Sequence, residues 1–359
     1  MNCPANAHAL PASFSPSRPR WRHAVVACLA LAVGAGLASA APAPAPAPLR
    51  AGMIGLDTSH VPAFVKLFND PNAPADLAGV RIVAGYPGGT DMPASKNRVQ
   101  KFTETVRAAG VEIVDSIPKL LEKVDVVFIE SVDGRIHLQE AIPVILAGKP
   151  LFIDKPAAGT LADAVAIYEL AKKHNVPCFS SSSLRFTPAI AELSKKAELG
   201  RIVGAMSWGP CDYEPGTPDL FFYGIHGVEP LFALLGRGCE SVTRVHTKDV
   251  DVVSGTWQDG RVATYRGFRK VKGGFGLVAF GTESFAPAAP GSLGGYRGLC
   301  VEIARFFRTR QAPVSAEETL EVLAFMEAAD ESKRQGGKAV TIASVLAKAR
   351  TEAAGKLPR

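Results

Sequence analysis

The sequence predicts two folded domains: a parallel α/β sheet layered between helices, then an α+β domain with a mostly antiparallel sheet. Three observations carry that expectation. Between residues 50 and 174, short apolar strands alternate with helices at gaps of a few residues, and the strands lack polar alternation, as strands buried on both faces do. After Cys178 the strands become polar at alternate positions and glycines crowd 255–298. The folded length, about 310 residues from Leu49 onward, exceeds the ~250–300 at which single cores stop growing.

Taken in order, the chain opens with a basic approach (Arg18, Arg20, Arg22), an apolar run at 24–36 and the small-residue pattern Ala38-Ser39-Ala40. These are the marks of a signal peptide over 1–40, and export to the periplasm or beyond is the expectation. Cys28 lies inside the apolar run, so no lipid anchor is indicated. No arginine pair precedes the run, so export of an already folded, cofactor-loaded chain is not signalled. Residues 41–48 read APAPAPAP, an extended spacer that can form neither helix nor central strand.

Strands follow at 50–56, 79–85, 111–114, 124–129 and 150–153. Helices are expected between them at 62–69, 97–109, 117–122, 137–147 and 161–174, with Thr58 or Ser59 capping the first. In the second half, strands are expected at 203–208, 240–247, 255–257, 261–265 and 275–280. Helices are expected at 221–235, 317–333 and 341–353.

Composition narrows the function classes. Forty Lys and Arg face 34 Asp and Glu, and three of the arginines leave with the leader, so nothing favours a nucleic-acid partner. Cysteines at 178, 211, 239 and 300 are too widely spaced for a zinc module; disulfides and isolated buried thiols both stay open. No second stretch could span a bilayer, so no stable membrane insertion is expected once the leader is removed.

The stretch GMIGLDTSH at 52–60 stands where a dinucleotide fold carries G-x-G-x-x-G. Gly55 is in place, while Asp57 and His60 hold the second and third glycine positions. Those glycines make a tight turn, admit the pyrophosphate close to the backbone, and let helix and strand approach. Asp57 brings a carboxylate toward the helix N-terminus, where it could fill the anion site itself. The second strand runs into GYPGG without the acidic residue that would hold an adenine ribose. Both a modified cofactor site and a lost one fit these residues. A metal site drawing on His60, His137, His226, Asp57 and Glu130 has no supporting spacing, and none is expected.

The IDKP at 153–156, after a buried strand and before a helix, resembles the EKP signature of the glucose-fructose/inositol oxidoreductase (Gfo/Idh/MocA-like) family. The order of elements over about 50–335 is similar too, and GLDTSH followed by YGIHGVEPLF looks like an exported branch of it. The resemblance implies a Rossmann-type NAD(P)-binding domain at 49–178, a substrate and oligomerisation domain at 179–335, and a C-terminal helix and tail at 336–359. It implies NAD or NADP as cofactor, contacted by Gly55, Asp57, Thr58, Ser59, His60, Glu130 and His137. Lys155 matches the family's catalytic lysine and His226 its histidine, with Glu229 one turn on to orient that imidazole. Hydride transfer on a sugar or polyol would follow, His226 taking the hydroxyl proton. Arg185, Asp212 and Asp219 are the expected substrate contacts, and the open face of the second sheet would pack against another copy of the chain. Two other readings remain: a carbohydrate-binding protein without cofactor, and a glycoside-cleaving enzyme assisted by NAD.

Overall fold

The computed structural model describes residues 47–357. The expected signal peptide and most of the Ala-Pro spacer lie outside the described residues.

The first sheet has six parallel strands. They are β1 (Leu49–Ile54), β2 (Val80–Tyr86), β3 (Glu112–Ile113), β4 (Val126–Ile129), β5 (Leu151–Ile153) and β6 (Cys178–Ser180). Their order is β3-β2-β1-β4-β5-β6, the doubly wound Rossmann arrangement that reverses between β1 and β4. Connecting helices are α1 (His60–Phe68), α2 (Pro93–Lys96), α3 (Val99–Ala108), α4 (Ile117–Leu121), α5 (His137–Leu146) and α6 (Leu161–Lys173). The central strands form because they can be buried on both faces: VVFI in β4 and LFI in β5 are buried throughout. Thr160 starts α6 by accepting a hydrogen bond from Asp163 N while its hydroxyl donates to the Asp163 carboxylate.

The second half contributes α7 (Pro188–Ser194), β7 (Ile202–Pro210), α8 (Ile225–Leu235), β8 (Cys239–His246), β9 (Val250–Trp257), β10 (Val262–Phe268), β11 (Gly276–Gly281) and β12 (Phe285–Pro287). After these come α9 (Arg297–Thr309), α10 (Ala316–Arg334), β13 (Val340–Thr341) and α11 (Ile342–Ala354). Its seven strands run β12-β11-β7-β10-β9-β8-β13, antiparallel except for the parallel pair β7–β10. Helices α8 and α10 cover one face of this sheet, giving the expected α+β layer.

Helix α9 departs from the expected domain order. It follows the glycine-rich stretch of the second half yet packs on the first sheet, burying Leu299, Cys300, Ile303, Phe306 and Phe307 there. Phe307 meets Phe128 edge-on at 5.1 Å, and Phe306 meets Phe179 at 4.8 Å. The tail after residue 335 supplies β13, which pairs with β8, before its helix. All four cysteines among the described residues are buried free thiols. Among the described residues no helix is long and apolar enough to cross a membrane.

Truncating Phe306 to Ala removes the contact between α9 and β6. The expected loss is ~3–5 kcal/mol of stability, read from the denaturant midpoint, within a single transition because α9 joins the two sheets.

Candidate active site

Above the C-terminal edge of β1 the chain turns at Gly55, whose φ is +80°. A Cβ at Gly55 would lie 2.1 Å from Ser131 Oγ, so glycine is required by packing against the segment after β4. Asp57 follows, fully buried. Its Oδ1 accepts from Val132 N at 2.8 Å and its Oδ2 from Ser95 Oγ at 2.5 Å. This corrects the expectation that Asp57 sits on the helix N-terminus: its carboxylate bonds to the segments after β4 and β2 instead. Burial raises its pKa, against the lowering effect of those two hydrogen bonds.

The segment after β2 also closes over the turn. Gly55 N donates to Tyr86 O and Leu56 N to Pro87 O, and a Cβ on Gly88 would lie 3.4 Å from the Gly55 Cα. Around this turn stand more carboxylates. Glu140 accepts from Ser131 Oγ, and burial pushes its carboxyl up to about 8. Glu130 is fully buried, its carboxyl held well above the usual range by burial and by the Asp154 and Asp57 charges.

A cavity of about 590 Å³ opens beside this turn. Thr58 and Ser59 line it from the turn itself and His60 from the first residue of α1, Lys155 from just after β5, Tyr223 from just before α8 and His226 from the first turn of α8. Lys155 and His226 thus line one cleft. The Lys155 ammonium lies 5.7 Å from the Tyr223 ring centroid and 3.5 Å from Phe222 O. Burial lowers its pKa, opposed by Asp154 and Glu130 and aided by Arg98. Burial, with Lys155 and His60 nearby, holds His226 well below its ordinary 6.5. Perturbed groups converging on one cleft make it the candidate active site.

Several expected contacts are elsewhere. Glu229 does not orient His226: it accepts from Ser182 N and Arg185, while His226 Nδ1 pairs with Ser182 Oγ at 2.8 Å. Ser182 therefore carries the link between the two. Arg185 is taken up by Glu229 and Glu318 and is not on the cleft wall. Asp219 belongs to a buried ion network, bound by Arg244 and Lys333, and faces a different cavity beside α10. His137 is fully buried and joins Ser131 O to Pro156 O, so it braces two loops rather than meeting a ligand. Asp212 does line the cleft. Arg98, Ser182, Tyr223, Phe275 and Tyr296 were not among the expected residues; only Tyr223, within YGIHGVEPLF, and Ser182, three residues before Arg185, lay beside a signal.

A family model described as an oxidoreductase family with an NAD-binding Rossmann fold (GFO_IDH_MocA) matches residues 92–182. GenD2 from gentamicin A biosynthesis, solved with NAD, superposes with a TM-score of 0.68 at 16% identity, over 82% of this chain and 97% of that one. The myo-inositol dehydrogenase of Lactobacillus casei, solved with NAD(H) and myo-inositol, gives 0.66 at 17%, over 82% and 96%. A probable dehydrogenase from Thermotoga maritima gives 0.65 at 20%, over 83% and 100%. Comparison with curated proteins finds no match. The chain has a Gfo/Idh/MocA-like NAD-binding oxidoreductase fold.

At the Gly55 turn this chain departs from the glycine pattern of a dinucleotide site, with Asp57 buried at the second glycine position. A pyrophosphate is doubly negative and needs free backbone amides at a helix N-terminus. Here the Gly55 and Leu56 amides donate to the segment after β2, and Asp57 is bonded to Ser95 and Val132, while burial holds Glu130 and Glu140 toward their uncharged forms. The family-model match begins at residue 92, beyond this turn, and includes Lys155.

Because its folded pKa is depressed, His226 stabilises the fold fully above pH 6.5, and that contribution is lost as pH falls from 6.5 toward the folded value. A proton NMR titration should find His226 neutral at pH 6.5. The denaturant midpoint of His226→Gln should depend less on pH over the same window.

Proposed function

We propose that this chain binds a sugar or polyol in the cleft between its two sheets and acts on it by acid–base chemistry, with no nicotinamide at the Gly55 turn. The carrying observation is the pairing of an intact cleft, holding Lys155 and His226, with a glycine turn closed by Asp57. His226 Nδ1 is engaged by Ser182, leaving Nε2 as the nitrogen to take a hydroxyl or carbon-bound proton. Lys155 has a lowered pKa and stands beside carboxylates, so it can hold a developing oxyanion or return the proton. Arg98 and Asp212 supply hydrogen bonds of both senses to hydroxyl groups, and Tyr223 and Phe275, stacked 6.3 Å apart, offer apolar faces to a ring. The sugar class is supported by the solved inositol dehydrogenases that share the fold. We further propose that the chain is exported, on the strength of its leader pattern and spacer.

The second reading keeps the redox reaction, with NAD or NADP tightly held. It is favoured by the fold and by the family-model match across Lys155. Both readings use the same cleft, so one experiment separates them. The mature protein is denatured and any released dinucleotide is measured by mass spectrometry; the native protein is titrated calorimetrically with NAD and NADP. Neither release nor binding is expected, whereas one equivalent per chain would restore the redox reading. A panel of sugars and polyols in a thermal-shift assay should reveal a stabilising ligand. With that ligand, Lys155→Met and His226→Gln should each lower turnover by ~10²–10⁴-fold while leaving the melting temperature within a few degrees. Full activity in both variants would sink the acid–base assignment.

A further inference from the structure

We propose that His60, Glu130 and Asp154 form a site for one divalent transition-metal cation, zinc or manganese, at the floor of the cleft. One donor atom from each residue lies within 4.8 Å of the others. His60 Nδ1 and Asp154 Oδ2 are 3.0 Å apart, without hydrogen-bond geometry at the imidazole nitrogen. Two ligands each ~2.1 Å from a tetrahedral ion stand ~3.4 Å apart, so a small adjustment of the three side chains would seat an ion among them.

Glu130 is fully buried, and neither of its carboxylate oxygens has a hydrogen-bond partner among the described residues. Asp154 Oδ1, on a side chain almost as buried, is also without one. Buried carboxylates are ordinarily paired, hydrogen-bonded or bound to a metal. Asp57, Glu130 and Asp154 bring three carboxyl groups together, with Lys155 as the ammonium beside them.

Imidazole nitrogen with two carboxylates suits zinc or manganese better than calcium or magnesium, which favour all-oxygen shells. Three protein ligands leave a coordination position open, the arrangement of catalytic rather than structural sites. Of the three, His60 lies on the cavity wall, with Glu130 and Asp154 buried and off it. Metal binding does not rest on the sugar reading.

The test uses mature protein purified without a histidine tag and stripped with EDTA. It is titrated with zinc chloride and with manganese chloride by calorimetry, and metal retained after dialysis is counted by mass spectrometry. One ion per chain is expected, bound at least tenfold more weakly by Glu130→Gln and by His60→Gln. Asp219→Asn, in the Arg244 network, should bind as the parent does. Cobalt(II) added to the unmodified chain should give visible d–d absorption of a nitrogen-ligated ion, a readout that needs no variant to fold. No stoichiometric binding by the stripped parent, or undiminished binding in both folded variants, would overturn the proposal. No sugar or dinucleotide is present, so failure here leaves the cleft reading standing. Failure of sugars to bind would leave the metal site standing.

Discussion

Two hydrogen bonds to the Asp57 carboxylate, from Ser95 Oγ and Val132 N, join three chain segments above the edge of the parallel sheet. Their partners are 38 and 75 residues away in sequence, so the turn after β1, the segment after β2 and the loop after β4 are held as one body. A fully buried carboxylate is costly unless it is bonded in this way, and here the bonds offset the cost while closing the turn. Much else at this end of the sheet follows from that closure. The segment after β2 lies against Gly55, and Lys155 and His226, both beside Tyr223, line the cavity next to the turn.

The polar interior beneath the cleft is crowded with charge. Arg244, fully buried on β8, is held by Asp251, Asp330 and Asp219 and by the Tyr213 hydroxyl. That network is satisfied, and it holds the loop before α8 against α10. The carboxylates below His60 are different, since several of their oxygens are unpaired. Satisfied networks rigidify a fold, while unsatisfied ones mark places where a ligand or proton belongs. The contrast separates Asp219, a structural ion-pair partner, from Glu130.

Much of this architecture was legible because apolar strands and helical spacing are local properties. The expected strands of the first sheet match β1 to β5 to within about two residues, and the second sheet was recognised by its polar alternation. Three-residue β6 and four-residue α2 were too short for any period to show. Helix α9 was not among the expected helices; it follows on the glycines that crowd 255–298. Lys155 and His226 could be paired from their order along the chain. The partners of Asp57, Glu229 and Asp219 could not, because each is set by a contact at least 25 residues distant. Helical spacing correctly put Glu229 one turn from His226; it could not say that Arg185 and Ser182 would take the carboxylate. The cluster of His60, Glu130 and Asp154 is likewise a product of topology, drawn from the ends of β1, β4 and β5.

The return of α9 to the first sheet has a consequence for the order of folding. Phe128 on β4 and Phe179 on β6 emerge from the ribosome long before Phe306 and Phe307, the rings that cover them. Until Thr309 has been synthesised, that face of the parallel sheet has no complete cover and remains exposed to water or to chaperones. The first half of the chain therefore cannot complete its core while the second is still being made. Its native state is reached only once nearly the whole polypeptide is available.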